Sequence, residues 1–398
     1  MKIAAKLEGE QAKVLLLVIL IGLNLRPFLV AVGPVMEQVV AGTGISYESA
    51  SLLTLVPMAL MGIGALVVAS RPALIAKQHA LLVALMVLAL GNLLRLLAGN
   101  GTILLLSAFV SGLAVALIQS IMPGLIKQSF QHNTARVVGC YSASLMLGGA
   151  LGAHAIPVLI AQHFDWQQAL AWLALPCFVA GIATALFLPK RSARASEQVQ
   201  FLPLMAKRRT WELMASFGMV NGAYASLVTW LASYYQLMGW STEKSSQLIV
   251  TLAACQAVSA LFVPMCMKPQ HDRRPWMLLM LALLALGFFG FIYVPETFPH
   301  LWAGACGVGL GGAFALSIII ALEHFSHVHK ANALTALMQG GGFMLASLFP
   351  FLFSLWVQVT GEYTDGWIMH LVLICLTSLI CINFNPKSYS LAMADRRS

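Results

Sequence analysis

The sharpest chemical feature of this chain is a guanidinium where none is expected. Arg26 stands in "IGLNLRPFLVAVGP", residues 21–34, within an apolar run from Val14 to Met36 that is long enough to cross a bilayer. An arginine at the middle of such a run costs about 2.5–3.5 kcal/mol on insertion scales, so ionisable groups there mark function by default. Two roles compete: a buried ion pair tying helices together, or a site for an anion. A pair needs a carboxylate at similar depth, and Glu37, Glu212 and Glu323 all fall at the ends of apolar runs. The anion site is therefore the reading adopted. Arginine suits it, because it stays charged and offers several donors in one plane.

Other polar residues fall inside apolar runs and are candidates to complete the site. Asn24 lies two residues before Arg26, and Asn221 and Tyr224 share a helical face. Gln119, Gln256 and Gln339 each sit within a different run; glue between helices is the competing role for each. Gly22 and Gly33 leave little bulk on the face of Arg26, and Pro27 frees the Leu23 carbonyl and favours a kink. Arg95, near the end of its run, is expected to snorkel toward the interface. His154 is the intramembrane histidine, either packed and neutral or a proton carrier. "EHFSHVHK", with Glu323, His324, His327 and His329, reads as a solvated loop rather than a metal site. No carboxylate pair, metal set or nucleophile–base pair falls at depth, so the chain is read as neither an enzyme nor a cofactor protein. Glycine clusters such as "GVGLGGAF" lie inside apolar runs and are packing surfaces, not nucleotide loops.

The elements that must carry these residues are transmembrane helices. Of 398 residues, 60% are hydrophobic and 9% charged, far below the roughly 25% charged of a soluble domain. Twelve spans are read at about 14–36, 47–69, 80–97, 101–126, 134–161, 166–188, 212–236, 244–267, 275–295, 300–321, 331–356 and 366–384. With the N-terminus inside, 20 of the 23 lysines and arginines fall in inner segments; only Arg26, Arg95 and Lys244 do not. That asymmetry places both termini in the cytoplasm and makes the net charge of +9 a topology signal, not a nucleic-acid surface. The seven cysteines form no CxxC pair and read as small packing residues. The polar N-terminus leads straight into a full-length run, so no cleaved signal peptide is read.

Polar, basic residues 189–210 divide the chain into two bundles, 1–188 and 211–398, joined by a cytoplasmic linker. The halves resemble each other. "GLAVALIQSI" at Gly112 aligns with "GLGGAFALSI" at Gly309, and "GGALGAHAIP" at Gly148 parallels "GGFMLASLFP" at Gly341. Duplicated six-span units place a substrate site near the midplane between the halves.

Five stretches in order, "LIGLNLRP", "QSIMPGLIKQSF", "NGAYASLVTWL", "CGVGLGGAFAL" and "ALMQGGGF", resemble the cyanate porter family of the major facilitator superfamily. The resemblance runs from about Val18 to Phe384. It implies an all-α fold of twelve transmembrane helices in two pseudo-symmetric bundles, alternating access, and small anions or compact polar organic molecules as substrates. The superfamily's Gly- and Arg-rich signature after the second span is eroded here to "SRPALIAKQH", leaving Arg71 and Lys77. The second half keeps "HDRR", with Asp272, Arg273 and Arg274, so gating is expected to rest there. The combined expectation is a monomeric, multi-pass transporter of the bacterial inner membrane, in contact with lipid and carrying a small monovalent anion, cyanate foremost. A compact neutral or weakly acidic solute, such as a nitroaromatic, stays open as the alternative. Without a carboxylate at depth, facilitated diffusion or anion exchange is expected rather than obligatory proton symport.

Overall fold

The computed structural model describes residues 2–70, 79–130, 133–188, 202–267 and 272–394. Arg71 and Lys77 lie outside the described residues, as does the 189–201 portion of the linker. The rest is helical, and no strand is present among the described residues.

Among the described residues, eleven segments are long and apolar enough to span a membrane. The first, α1, is built from three α-helical pieces, Lys2–Asn24, Pro27–Val30 and Met36–Thr43, with a 3₁₀ turn at Gly33–Val35 before the last. It is followed by α2 (Tyr47–Ser70), α3 (Ala80–Leu93), α4 (Gly101–Ser129), α5 (Thr134–Ala161) and α6, whose pieces are Trp166–Ala171 and Ala174–Phe187. After the linker come α7 (Arg208–Leu237), α8 (Thr242–Cys266), α9 (Arg274–Tyr293), α10 (Pro299–Glu323), α11 (Val328–Thr360) and α12 (Tyr363–Ile382). The linker closes earlier than its composition suggests. Residues Leu202–Met205 form a helical turn, and the Thr210 hydroxyl donates to the Leu204 carbonyl at 2.6 Å.

The helix missing from the apolar set is α7, and its position explains why. Every residue from Ser216 to Tyr235 is buried. A helix enclosed by protein need not satisfy lipid, so α7 carries Ser216, Asn221, Tyr224, Ser226, Thr229 and Ser233 where outer helices carry leucine. The other sides face outward as a bilayer demands: Leu113, Leu151, Phe178, Leu186, Phe262, Leu352 and Leu379 are all exposed. With α7 counted, the described residues carry twelve transmembrane helices.

The helices of the two halves pack in crossed pairs, α2 against α11 and α5 against α8. Glycines permit the closest approaches; a side chain at Gly62 would lie 2.6 Å from the Gly340 carbonyl oxygen. Nearer the opposite end of α2, Thr54 and Thr229 share a hydrogen bond of 3.0 Å across to α7. The duplication read from sequence is repeated in the bonding. Ser120 donates to the Ala116 carbonyl and Ser317 to the Ala313 carbonyl, each at 2.7 Å and each four residues back.

Candidate functional site

The site begins with a break in α1. Pro27 has no amide to offer the Leu23 carbonyl, and the helix stops at Asn24 before resuming at Pro27. A second interruption follows at Ala31–Val32, ahead of Pro34. The kink expected from Pro27 is therefore present, and Arg26 sits inside it. Three glycines of α5 close around this irregular backbone. A side chain at Gly148 would collide with the Leu23 carbonyl, one at Gly149 would lie 3.5 Å from the Arg26 Cβ, and one at Gly152 would lie 3.0 Å from the Pro27 Cα.

Arg26 is almost fully enclosed, with 1% of its surface exposed. None of its three guanidinium nitrogens makes a hydrogen bond of full geometry, although the Tyr224 hydroxyl lies close enough to interact with it, and none of the ion pairs among the described residues includes it. What it meets instead are ring faces. The guanidinium carbon lies 4.5 Å from the Tyr224 ring centroid on α7 and 5.8 Å from that of Phe314 on α10. Tyr141 of α5, whose buried hydroxyl has no partner, is within electrostatic reach of the same charge. Desolvated cation–π contacts contribute about 2 kcal/mol. Burying an ion costs several kcal/mol, so the rings alone leave the charge under-compensated. The arrangement is a set of donors, aimed into an aromatic enclosure, that an anion would satisfy.

The same contacts hold the enclosure in shape. Phe314 packs on Phe217 at 5.7 Å between centroids, and Phe217 meets Phe343 edge-on at 5.1 Å. Helices α1, α5, α7 and α10 thus converge on one guanidinium.

The Major Facilitator Superfamily model matches residues 14–347. The chain belongs to the major facilitator superfamily. It is 38% identical, over 94% of its length and 98% of the relative's, to the cyanate transport protein CynX of Escherichia coli (strain K12). It is 25% identical, over 96% and 97% of the two chains, to the 2-nitroimidazole transporter of the same organism. Among solved structures, a D-xylose-proton symporter superposes with a TM-score of 0.72 over 94% of this chain and 98% of that one, at 15% identity. That last likeness speaks for the fold alone. Family membership makes this a multi-pass transporter chain and not an enzyme.

Within this superfamily fold, the residues singled out from sequence fare unequally. Arg26 and Tyr224 are brought together. Asn24 and Asn221 are buried on the flanking turns, where each amide nitrogen donates to the carbonyl four residues back and the Asn24 Oδ1 has no partner. Gln119, Gln256 and Gln339 are buried on α4, α8 and α11, but none of them hydrogen-bonds to Arg26. Gly22 and Gly33 do not open space beside Arg26. Their faces are filled by close packing, Gly22 against Ser144 and Gly33 against the Val228 carbonyl.

Three further expectations need correction. Arg95 does not snorkel; it is 1% exposed, tucked in by a 3₁₀ turn at Leu94–Leu97. His154 is exposed on α5, whereas His370 of α12 is the fully buried histidine, packed among Phe288, Phe349 and Phe353. The solvated loop expected at "EHFSHVHK" is only partly so. His324 is buried with its ring 3.8 Å from that of Tyr389, and burial pushes its pKa down to about 4. Beside it Glu323 pairs with Arg273 at 2.8 Å, while Arg274 grips Asp272 at 2.6 Å and holds that carboxyl below its usual range. The His329 side chain lies outside the described residues.

Sequence reading passed over Tyr141 and Phe314. The signal was available for both. Tyr141 lies two helical turns before Gly148, on the same face of α5, and Phe314 interrupts the small-residue run of "GLGGAFALSI".

Proposed function

We propose that this chain carries a small monovalent anion, cyanate foremost, across the bacterial inner membrane by alternating access. The observation that carries the reading is Arg26, fully buried between Tyr224 and Phe314 and in none of the ion pairs among the described residues. One fixed charge at the convergence of four helices matches one negative charge on the substrate. Binding neutralises the guanidinium and lowers the cost of the rocking motion between the bundles 1–188 and 211–398. Asn24, Asn221, Tyr224 and, farther out, Gln119, Gln256 and Gln339 supply polar contacts during that movement. The 38% identity to a protein named for cyanate transport supports the substrate class. The distribution of basic residues supports a cytoplasmic location for both termini and the linker, and the proposed transporting unit is a monomer surrounded by lipid.

A second reading has its own support. The rings beside Arg26 suit a flat, weakly acidic organic solute stacked on Tyr224, and a relative at 25% identity is named for 2-nitroimidazole. Counterflow in proteoliposomes separates the two. Labelled cyanate should exchange against unlabelled cyanate and continue to do so with protonophore, while 2-nitroimidazole competes weakly or not at all. Counterflow of 2-nitroimidazole without any of cyanate would transfer the assignment to the second reading.

A further inference from the structure

Among the described residues, Arg26 is one of two guanidinium groups sealed within the first six helices. Arg95 reaches α1 from the far end of α3, and its Nη2 donates to the Phe28 carbonyl at 2.7 Å. Its Nε and Nη1 are buried and have no partner, so this carbonyl is the bonded contact of the whole side chain. The carbonyl is open to it for a local reason. In an unbroken helix the Val32 amide would take the Phe28 carbonyl, but α1 is interrupted at Ala31–Val32. The amides that do bond across this stretch go elsewhere: Leu29 and Val30 to the Arg26 carbonyl, Ala31 to that of Pro27, and Val35 to that of Val32. A buried carbonyl left without a donor is costly, and a charged donor answers it more strongly than a neutral one.

The two breaks in α1 are therefore covered from two sides. Helix α5 closes over the Leu23 carbonyl with Gly148, and α3 closes over the Phe28 carbonyl with Arg95. Between them lie only Asn24, Leu25, Arg26 and Pro27, the segment that aims the Arg26 guanidinium at Tyr224 and Phe314.

We infer that Arg95 is a positioning residue for Arg26: by capping the Phe28 carbonyl it fixes the Pro27–Val30 turn, and with it the direction of the anion-binding charge. The inference rests on the anion-site reading of Arg26 for its functional half, while the cap itself does not depend on substrate.

Hydrogen–deuterium exchange on the full-length protein, with Arg95→Leu and Arg95→Lys beside wild type and no substrate present, tests the cap. Arg95→Leu should speed exchange of amides within residues 21–36 by ~tenfold, the size of one charged hydrogen bond, and leave the other spans unchanged. Arg95→Lys keeps a charged donor and should restore most of the protection. In transport assays Arg95→Leu should raise the KM for the anion by ~tenfold with a smaller change in maximal rate, again rescued by lysine. Unchanged exchange in residues 21–36, or a rise spread evenly over every span, would overturn the inference. A local rise in exchange with no anion transported by wild type would leave the cap standing and remove the anion site instead.

Discussion

Helices α1 and α7 begin alike and then part. Asn24 and Asn221 lie 197 residues apart, the same spacing as Ser120 and Ser317. Each donates its amide to the carbonyl four residues back, Leu20 at 2.8 Å and Phe217 at 2.9 Å. Beyond that shared bond the duplicated positions read Arg26-Pro27 in one helix and Ala223-Tyr224 in the other. The first pair breaks the backbone and installs a charge. The second keeps α7 continuous from Arg208 to Leu237 and puts a ring against that charge. Duplication supplied the scaffold, and divergence at two adjacent positions separated its tasks. The cation and the broken backbone lie in one half, the neutral aromatic wall in the other. In the proposed mechanism the substrate's charge is therefore answered from one side only, and closure brings the other side up to it.

The largest expected difference between the halves is steric. Gly148 and Gly341 hold matching places in the repeated motifs, but a side chain at Gly148 meets the Leu23 backbone, whereas one at Gly341 meets the Met214 side chain at 2.7 Å. Backbone cannot step aside and a methionine can. Gly148→Ala should destabilise the protein by about 1–3 kcal/mol, the usual cost of overpacking, and Gly341→Ala by less. Melting curves for the two variants check this; equal losses would mean that the α1 break is no tighter than its counterpart.

Next comes the ring. Tyr224→Ala removes the nearer cation–π partner of Arg26 and should weaken anion binding by ~tenfold, while Tyr224→Phe keeps the ring and most of the affinity. Isothermal titration with cyanate distinguishes them, and a Tyr224→Phe as weak as Tyr224→Ala would assign the role to the hydroxyl. The smallest effect sharpens the likeness rather than the difference. Asn24→Ala and Asn221→Ala each lose one side chain-to-backbone bond and should each cost about 0.5–1.5 kcal/mol. A much larger loss of transport for one of them would show that its amide touches substrate.

How much of this was legible without coordinates follows from what each feature depends on. The spans, the pseudo-repeat and the isolated charge at Arg26 depend on runs of residues along the chain, and the Pro27 break on a missing amide, so all were readable. Arg95 was misjudged because its depth depends on a 3₁₀ turn and on a carbonyl of another helix, neither of which leaves a mark on its own segment. His370 went unnoticed and His154 was overvalued because sequence gives a residue's depth in a span but not the side of the helix that faces lipid. Tyr141 and Phe314 belong to helices that meet Arg26 only after packing; their glycine-rich neighbours hinted at the contact without naming its partner.

The measurement closest to the central claim is a melting curve for wild type, Arg26→Gln and Arg26→Lys, each with and without cyanate. With the site empty the rings offset only part of the cost of burying Arg26, so Arg26→Gln should melt no lower than wild type and lose the upward shift that cyanate produces. Arg26→Lys, charged but without the planar fork, should keep a reduced shift. An Arg26→Gln protein that still shifts with cyanate would take Arg26 out of the site. One that loses about 3–5 kcal/mol of stability would instead mark Arg26 as half of a buried ion pair.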